Sequence, residues 1–392
     1  MMRTPYDGGD FVPRDLETVG LFYVLPHSGF FTTSGLVGGH LAHAQGFVAA
    51  AEREWGRVTV ICAPDGRGLF SSLGVEVLAV SNRTQFSRVI WSAKILSTIE
   101  RHLQKVERPA ACYVRYAGRF AWALPLLKRI LRGVPLVLEV NSLGTQYRRA
   151  MRVIDSRAVR AADLVVAVSG VVEESVKEVA RSRCPPVLVV PNGVDLQRFR
   201  VCPDELELKS SANTSPRVGY VGVLKPNYGL EDLIGAFRIV RARFPEARLD
   251  IVGDGPLRSL LETLARDVGG VTIHKPVPFS EVPSVLRSMD VLVCPQSPVN
   301  VHVSPMKLFE YLAAGRAVVA AAIPQVVGIA QVSNAFLTYR CGDVCELAER
   351  ICDLLASDEV RLSFAKRALD EAKKHSWEER VRMVRNAVAS LG

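Results

Sequence analysis

The chain has no run of the roughly 18 unbroken apolar residues that a membrane-spanning helix needs, although 48% of its 392 residues are hydrophobic. Its first residues carry Asp7, Asp10, Asp15 and Glu17 with no compact apolar stretch among them. They do not resemble a secretory leader, so a cytoplasmic protein is expected. No Gly-x-Gly-x-x-Gly follows a strand-like run, so a dinucleotide fingerprint is not indicated. Basic residues are not interleaved with aromatics, which make up only 7% of the chain, and nucleic acid is not an expected partner. The eight cysteines are scattered. Cys341 and Cys345 are close, but no second pair or histidine cluster accompanies them, which argues against a zinc site. Cys62, Cys112 and Cys294 fall in or beside strand-like runs, as small buried hydrophobes do.

What is present is a soluble-type composition long enough for two or three domains, with a net charge of +9. Nearly all of that excess lies in residues 1–190, which hold 24 Lys and Arg against 16 Asp and Glu. Clusters such as Lys128, Arg129, Arg132 and Arg148, Arg149, Arg152, Arg157, Arg160 favour an anionic partner, either an inner-leaflet surface or an acidic acceptor. Solvated helix faces would look the same.

Short apolar runs alternate with helical patterns, which predicts parallel sheets covered on both faces. A first series of strands runs from Val19–Leu25 to Val187–Val190 and closes at the turn Pro191-Asn-Gly-Val-Asp195. A polar stretch from about 200 to 216 reads as a linker. A second series begins at Arg217, and three helices fill the chain after 343. Ligands of such sheets bind at the carboxyl ends of the strands. There the sequence places the glycine loop containing Gly38 and Gly39, Arg115 after one strand, and Glu139-Val-Asn141 at the end of another. In the second series the turns Gly222-Val-Leu-Lys-Pro-Asn-Tyr-Gly229 and Gly253-Asp-Gly-Pro256 occupy the same position, with Lys225 at the mouth.

The densest signal is Ser304-Pro-Met-Lys-Leu-Phe-Glu-Tyr-Leu-Ala-Ala-Gly315. Ser304 suits an N-cap, Pro305 the first helical position and Gly315 the left-handed residue that ends a helix. A helix start presents free N–H groups and a positive dipole end, which favour a phosphate. Lys307 in the first turn is unhelpful to the helix itself and makes sense beside an anion. Glu310 lies one turn on, so a ligand with a diphosphate beside a diol reaches both.

These stretches, with Gly-Tyr-Val-Gly-Val-Leu-Lys-Pro226, Ile-Val-Gly-Asp-Gly-Pro-Leu257, Gly38-Gly-His-Leu-Ala-His43 and His375-Ser-Trp-Glu378, resemble the family 4 retaining glycosyltransferases along nearly the whole chain. The resemblance implies the α/β GT-B architecture, two Rossmann-like domains facing across a cleft. Residues 1–195 would form the acceptor-binding domain and 196–375 the nucleotide-sugar domain. The last helix, within 376–392, would cross back to the first. It implies a hexosyl transfer from a UDP- or GDP-sugar to a saccharide or lipid-linked acceptor, with retained configuration. The nucleotide sugar is then a substrate and no cofactor is implied.

By the same resemblance, Glu310 receives the ribose hydroxyls, and Gly222, Gly253, Ser304, Pro305, Met306 and Leu308 line the donor site, with Val277 beside the base. Gly38, Gly39, His43, Arg115, Glu139 and Asn141 stand on the acceptor side. The family's first signature Glu is replaced by His302. Its phosphate-turn Arg and Lys align with Val223 and Tyr228, leaving Lys225 and Lys307 as replacements. No Asp-x-Asp occurs, in keeping with transfer that uses no metal. Two other readings are a catalytically silent nucleotide-sugar-binding partner protein and a nucleotide-sugar epimerase; no acid/base carboxylates can be placed for the latter.

Overall fold

The computed structural model describes residues 20–26, 39–81, 88–106, 108–146, 148–201, 215–297 and 306–391. In the first half, seven strands run parallel in the order β3-β2-β1-β4-β5-β6-β7. They are β1 Leu21–Val24, β2 Val58–Cys62, β3 Glu76–Ala79, β4 Ala111–Arg115, β5 Leu136–Val140, β6 Leu164–Ala167 and β7 Val187–Val189. The helices between them are α1 Gly39–Trp55, α2 Arg67–Phe70, α3 Arg88–Leu103, α4 Leu124–Leu131, α5 Arg152–Ala161 and α6 Gly170–Ala180. Because strand side chains alternate, β4 sends Cys112 and Val114 to one core and Ala111 and Tyr113 to the other. The first core lies under α3, α4, α5 and α6; the second under α1 and α2.

The second half repeats the plan with six parallel strands ordered β10-β9-β8-β11-β12-β13. These are β8 Arg217–Val221, β9 Arg248–Val252, β10 Val271–His274, β11 Val291–Cys294, β12 Ala317–Ala321 and β13 Leu337–Tyr339. Helices α7 Leu230–Arg243, α8 Arg258–Val268, α9 Val282–Arg287, α10 Met306–Ala313, α11 Pro324–Ser333, α12 Val344–Leu355 and α13 Asp358–Lys373 cover it. The short α2, together with α11 and β13, was not expected from the sequence. The first is four residues long, and α11 has weak apolar periodicity, so neither carries a helical pattern that stands out.

The final helix, α14 Trp377–Ala389, leaves the second half and packs on α1. Ser376 caps it by accepting from the Glu379 N–H at 3.1 Å. Its entry is pinned by two backbone bonds, Val194 N–H to His375 O at 2.8 Å and Trp377 N–H to Val194 O at 3.2 Å. The Trp377 ring then fits against two glycines. A Cβ on Gly46 would lie 2.1 Å from its indole nitrogen, and one on Gly193 would lie 2.8 Å from the ring. The expected return of the last helix to the first half is what the fold shows, and no helix among the described residues is long and apolar enough to cross a membrane.

Candidate functional site

The carboxyl ends of β8 and β9 open into two turns that touch backbone to backbone. Leu224 N–H donates to Asp254 O at 2.9 Å and Leu257 N–H to Leu224 O at 3.0 Å. A Cβ on Gly253 would stand 1.9 Å from Gly222 O, which no side chain tolerates. Gly222 itself is roofed by Lys307: a Cβ there would meet the lysine Cε at 2.3 Å. The two glycine turns expected to line a ligand cleft thus lie directly beneath the α10 lysine.

Lys307 is held by aromatics rather than by an acid. Its Nζ donates to Tyr220 Oη at 2.7 Å and lies 4.2 Å from the Tyr228 ring centroid. No carboxylate among the described residues pairs with it within 4 Å. Burial pulls its pKa down, against the weaker pull of Tyr228, Cys294 and Glu310 in the other direction. Tyr311, on the same helix, donates to Val221 O at 3.0 Å and accepts from Val221 N–H at 2.9 Å, so α10 is fastened to the end of β8. Gly315 closes α10 with φ +62°, as its sequence position requires.

Glu310 sits one turn beyond Lys307, half-buried. Burial lifts its carboxyl to about pKa 7 in spite of Lys307 and Arg198. It faces a cavity of about 220 Å³ between the two halves, shared with Met306, Arg198, Phe279, Gln45 and Trp377. Arg198 stacks over Phe279 with 4.0 Å between guanidinium carbon and ring centroid. Leu308 is fully buried in the core behind α10, where its side chain anchors the helix. Val277 is half-buried on the loop after β10, and Lys225 is exposed on the Gly222–Gly229 turn. His302, Ser304 and Pro305, like Gly38, lie outside the described residues; Gly39 opens α1.

Across the cleft, Glu139 lies at the end of β5 and is fully buried, with His43 fully buried beside it at 3.0 Å. Tyr113 Oη and the Asn141 amide each donate to Glu139 at 2.7 Å, and Arg380 of α14 donates at 3.2 Å. Arg115 Nε is 3.5 Å away. Burial alone would raise the Glu139 pKa; His43 and the Arg380 and Arg115 guanidiniums outweigh it and hold the group well below the carboxylate range. Burial and Arg115 push His43 down to about 4, so its ring is neutral at neutral pH. Glu139 and His43, expected on the acceptor side, are both fully buried, so their side chains stand behind the cleft wall. Asn141 is the half-buried member, reached by the Asn192 amide at 3.4 Å.

Several residues in these contacts were not expected. Tyr220 and Tyr228 hold Lys307 while Tyr311 fastens its helix to β8, and only Tyr228 was legible, as the departure at a phosphate-turn position. Arg380 carries a usable signal: it lies on the buried stripe of Trp377, Val381, Val384 and Val388, where an unpaired charge is too costly to stand.

Residues 37–198 match the description Glycosyltransferase Family 4, and residues 215–357 match Glycosyl transferases group 1. A sulfoquinovosyl transferase of Arabidopsis thaliana is 26% identical over 234 residues, 58% of this chain and 44% of the relative. A phosphatidyl-myo-inositol mannosyltransferase of Mycolicibacterium smegmatis is 26% identical over 189 residues, 48% of each chain. The chain spans about half the length of these curated relatives. An Anabaena protein crystallised with UDP and glucose superposes with a TM-score of 0.72 at 18% identity, covering 95% of this chain and all of that one. That likeness carries the fold, which is GT-B. With one family profile on each half of the cleft and the glycine turns packed as described, the chain belongs to glycosyltransferase family 4.

Proposed function

We propose that this chain is a retaining glycosyltransferase that moves a sugar from a UDP- or GDP-sugar to a saccharide or lipid-linked acceptor without a metal ion. One observation carries the reading: the Lys307 ammonium is held over Gly222 by two tyrosines and has no carboxylate partner among the described residues, with Glu310 one turn away. An ammonium so placed attracts a diphosphate, and a carboxylate 4.5 Å along the helix, on the order of one turn's rise for three residues, suits the ribose hydroxyls. As the glycosyl–oxygen bond breaks, negative charge grows on the leaving phosphate oxygen. Lys307 and Lys225 stabilise it as fixed positive charge. On the same face of the sugar the departing phosphate oxygen takes the proton of the acceptor hydroxyl while that oxygen bonds to the anomeric carbon. No protein nucleophile is required, and closure of the halves keeps out water that would hydrolyse the donor.

The Anabaena structure, with UDP and glucose bound, favours a uridine donor. The mannosyltransferase, named for phosphatidyl-myo-inositol, favours a lipid acceptor, which would bring the chain to a bilayer surface. Calorimetric titration of UDP and GDP into wild type and Glu310→Ala is the test. Saturable binding of one nucleotide, lost in the variant, supports the donor site; binding of neither to wild type overturns it. The second reading, a silent nucleotide-sugar binder, is kept by His302 and Val223 at two signature positions. It is favoured by tight donor binding with neither transfer nor donor turnover across a panel of acceptors.

A further inference from the structure

Residues 88–161, which span α3, α4 and α5, hold 15 Lys and Arg against four Asp and Glu. That segment is therefore +11 in a chain of net +9. Two of the four acids, Glu139 and Asp155, are fully buried and already bonded, so they do not offset charge at the surface. Arg119, Arg129, Arg148, Arg149 and Arg157 are exposed, and none pairs with a carboxylate among the described residues.

The same layer is also where large apolar side chains face outward. Val89 and Ile90 in the first turn of α3 are 58% and 46% exposed, Leu126 in α4 is 43% and Val153 in α5 is 61%. These helices lie side by side on one face of the first sheet, α3 against α4 and α4 against α5. A helix that follows a parallel strand starts at that strand's carboxyl end, so the first turns of all three sit at the rim of the cleft. The loop before α5 is fixed there. Asp155 accepts from the Thr145 N–H at 2.6 Å and from Tyr116 Oη, and Gly144 N–H donates to Tyr116 at 3.2 Å. A Cβ on Gly144 would come within 3.2 Å of Met151, which shows how closely that loop is folded onto the turn carrying Arg148, Arg149 and Arg152.

We infer that the outer face of α3, α4 and α5 docks on an anionic lipid bilayer, with the arginines on the headgroups and Val89, Ile90, Leu126 and Val153 entering the interface. Isolated exposed hydrophobes need no explanation, but four on one layer amid uncompensated arginines match both terms of interfacial binding. A polyanion such as nucleic acid would use the charge and leave the valines and isoleucine without a role. The inference rests on the proposed function for its purpose, since it sets a lipid-linked acceptor at the cleft rim, but vesicle binding is read without donor or acceptor.

The experiment is co-sedimentation of the full chain with vesicles of phosphatidylcholine alone and of phosphatidylcholine with phosphatidylglycerol. Binding is expected only to the anionic vesicles. Arg148→Ala/Arg149→Ala/Arg157→Ala should weaken it roughly a hundredfold, about fivefold for each arginine near the surface. Ile90→Asp/Val153→Asp should weaken it further, with circular dichroism and thermal unfolding confirming that both variants fold. Absence of binding to anionic vesicles overturns the inference. So does salt-sensitive binding that Ile90→Asp/Val153→Asp leaves unchanged, which would mark the face as a general polyanion surface. Failure of nucleotide titration with intact vesicle binding would sink the donor reading and leave this one standing.

Discussion

Glu139 lies fully buried behind one wall of the cleft, and Glu310 lies half-buried on the opposite wall. Their environments divide them. Glu139 is surrounded by Arg380, Arg115, Tyr113 and Asn141, which keep it ionised well below the usual range. Glu310 has only the more distant Lys307 and Arg198 against its own burial, and its carboxyl rises to about pKa 7. A carboxylate whose oxygens are already taken serves to hold the fold. One left short of partners is free to take hydrogen bonds from something else. The pair shows that burial of an acid says little about its role until its partners are counted.

The comparison breaks most sharply at Arg380. Arg380→Ala strips the buried Glu139 of its α14 partner and should cost about 3–5 kcal/mol of stability, read as a fall in the denaturant midpoint. An unfolding curve matching wild type would mean that α14 is held by its apolar stripe alone. Glu310→Ala, by contrast, should leave stability near wild type or improved while weakening nucleotide affinity by about 10- to 150-fold, the span of a charge-assisted hydrogen bond worth roughly 1.5–3 kcal/mol.

The two acids also respond oppositely to pH. Glu139, with its folded pKa depressed, contributes stability that is present above the ordinary carboxylate value and lost as pH falls through the depressed folded value. For Glu310 the folded pKa is raised, so its unfolded form binds fewer protons between about 4.5 and 7 and its effect on stability falls as pH rises through that window. If ribose hydroxyls donate to the ionised group, nucleotide affinity should instead rise with pH to a plateau above about 7. Calorimetry at a series of pH values checks this, and Glu310→Gln should flatten the profile. The smallest effect is expected for Tyr228→Leu, which removes an aromatic face from Lys307 and should weaken nucleotide binding only about fivefold, near 1 kcal/mol; a larger loss would give the ring a contact of its own with the ligand.

Much of the architecture was legible because strand and helix periods are local. The parallel sheets follow from short apolar runs alternating with helical patterns, Gly222 and Gly253 from turns that admit no side chain, and Gly315 from the left-handed residue that ends a helix. The site was legible only in outline. Lys307 and Glu310 are one turn apart on any helix, so their proximity needs no tertiary information. Whether either is paired does. Glu139 and His43 read as cleft residues because they sit at strand and helix ends; only in the fold does α14 bring Arg380 to Glu139, 241 residues away in sequence, and Trp377 against His43.

The sequence by itself determined the two βα series, the glycine turns at the carboxyl ends of β8 and β9, and the helix that carries Lys307 and Glu310. Tertiary structure decided which charges are spent inside the fold. Arg380 reaches Glu139 only because α14 returns to α1, and the Lys307 ammonium is held without an acid among the described residues by Tyr220 and Tyr228, from a strand and a turn of the same series. Electrostatic energy depends on distance through space and on the water excluded from it, and neither quantity is written in the order of residues along a chain.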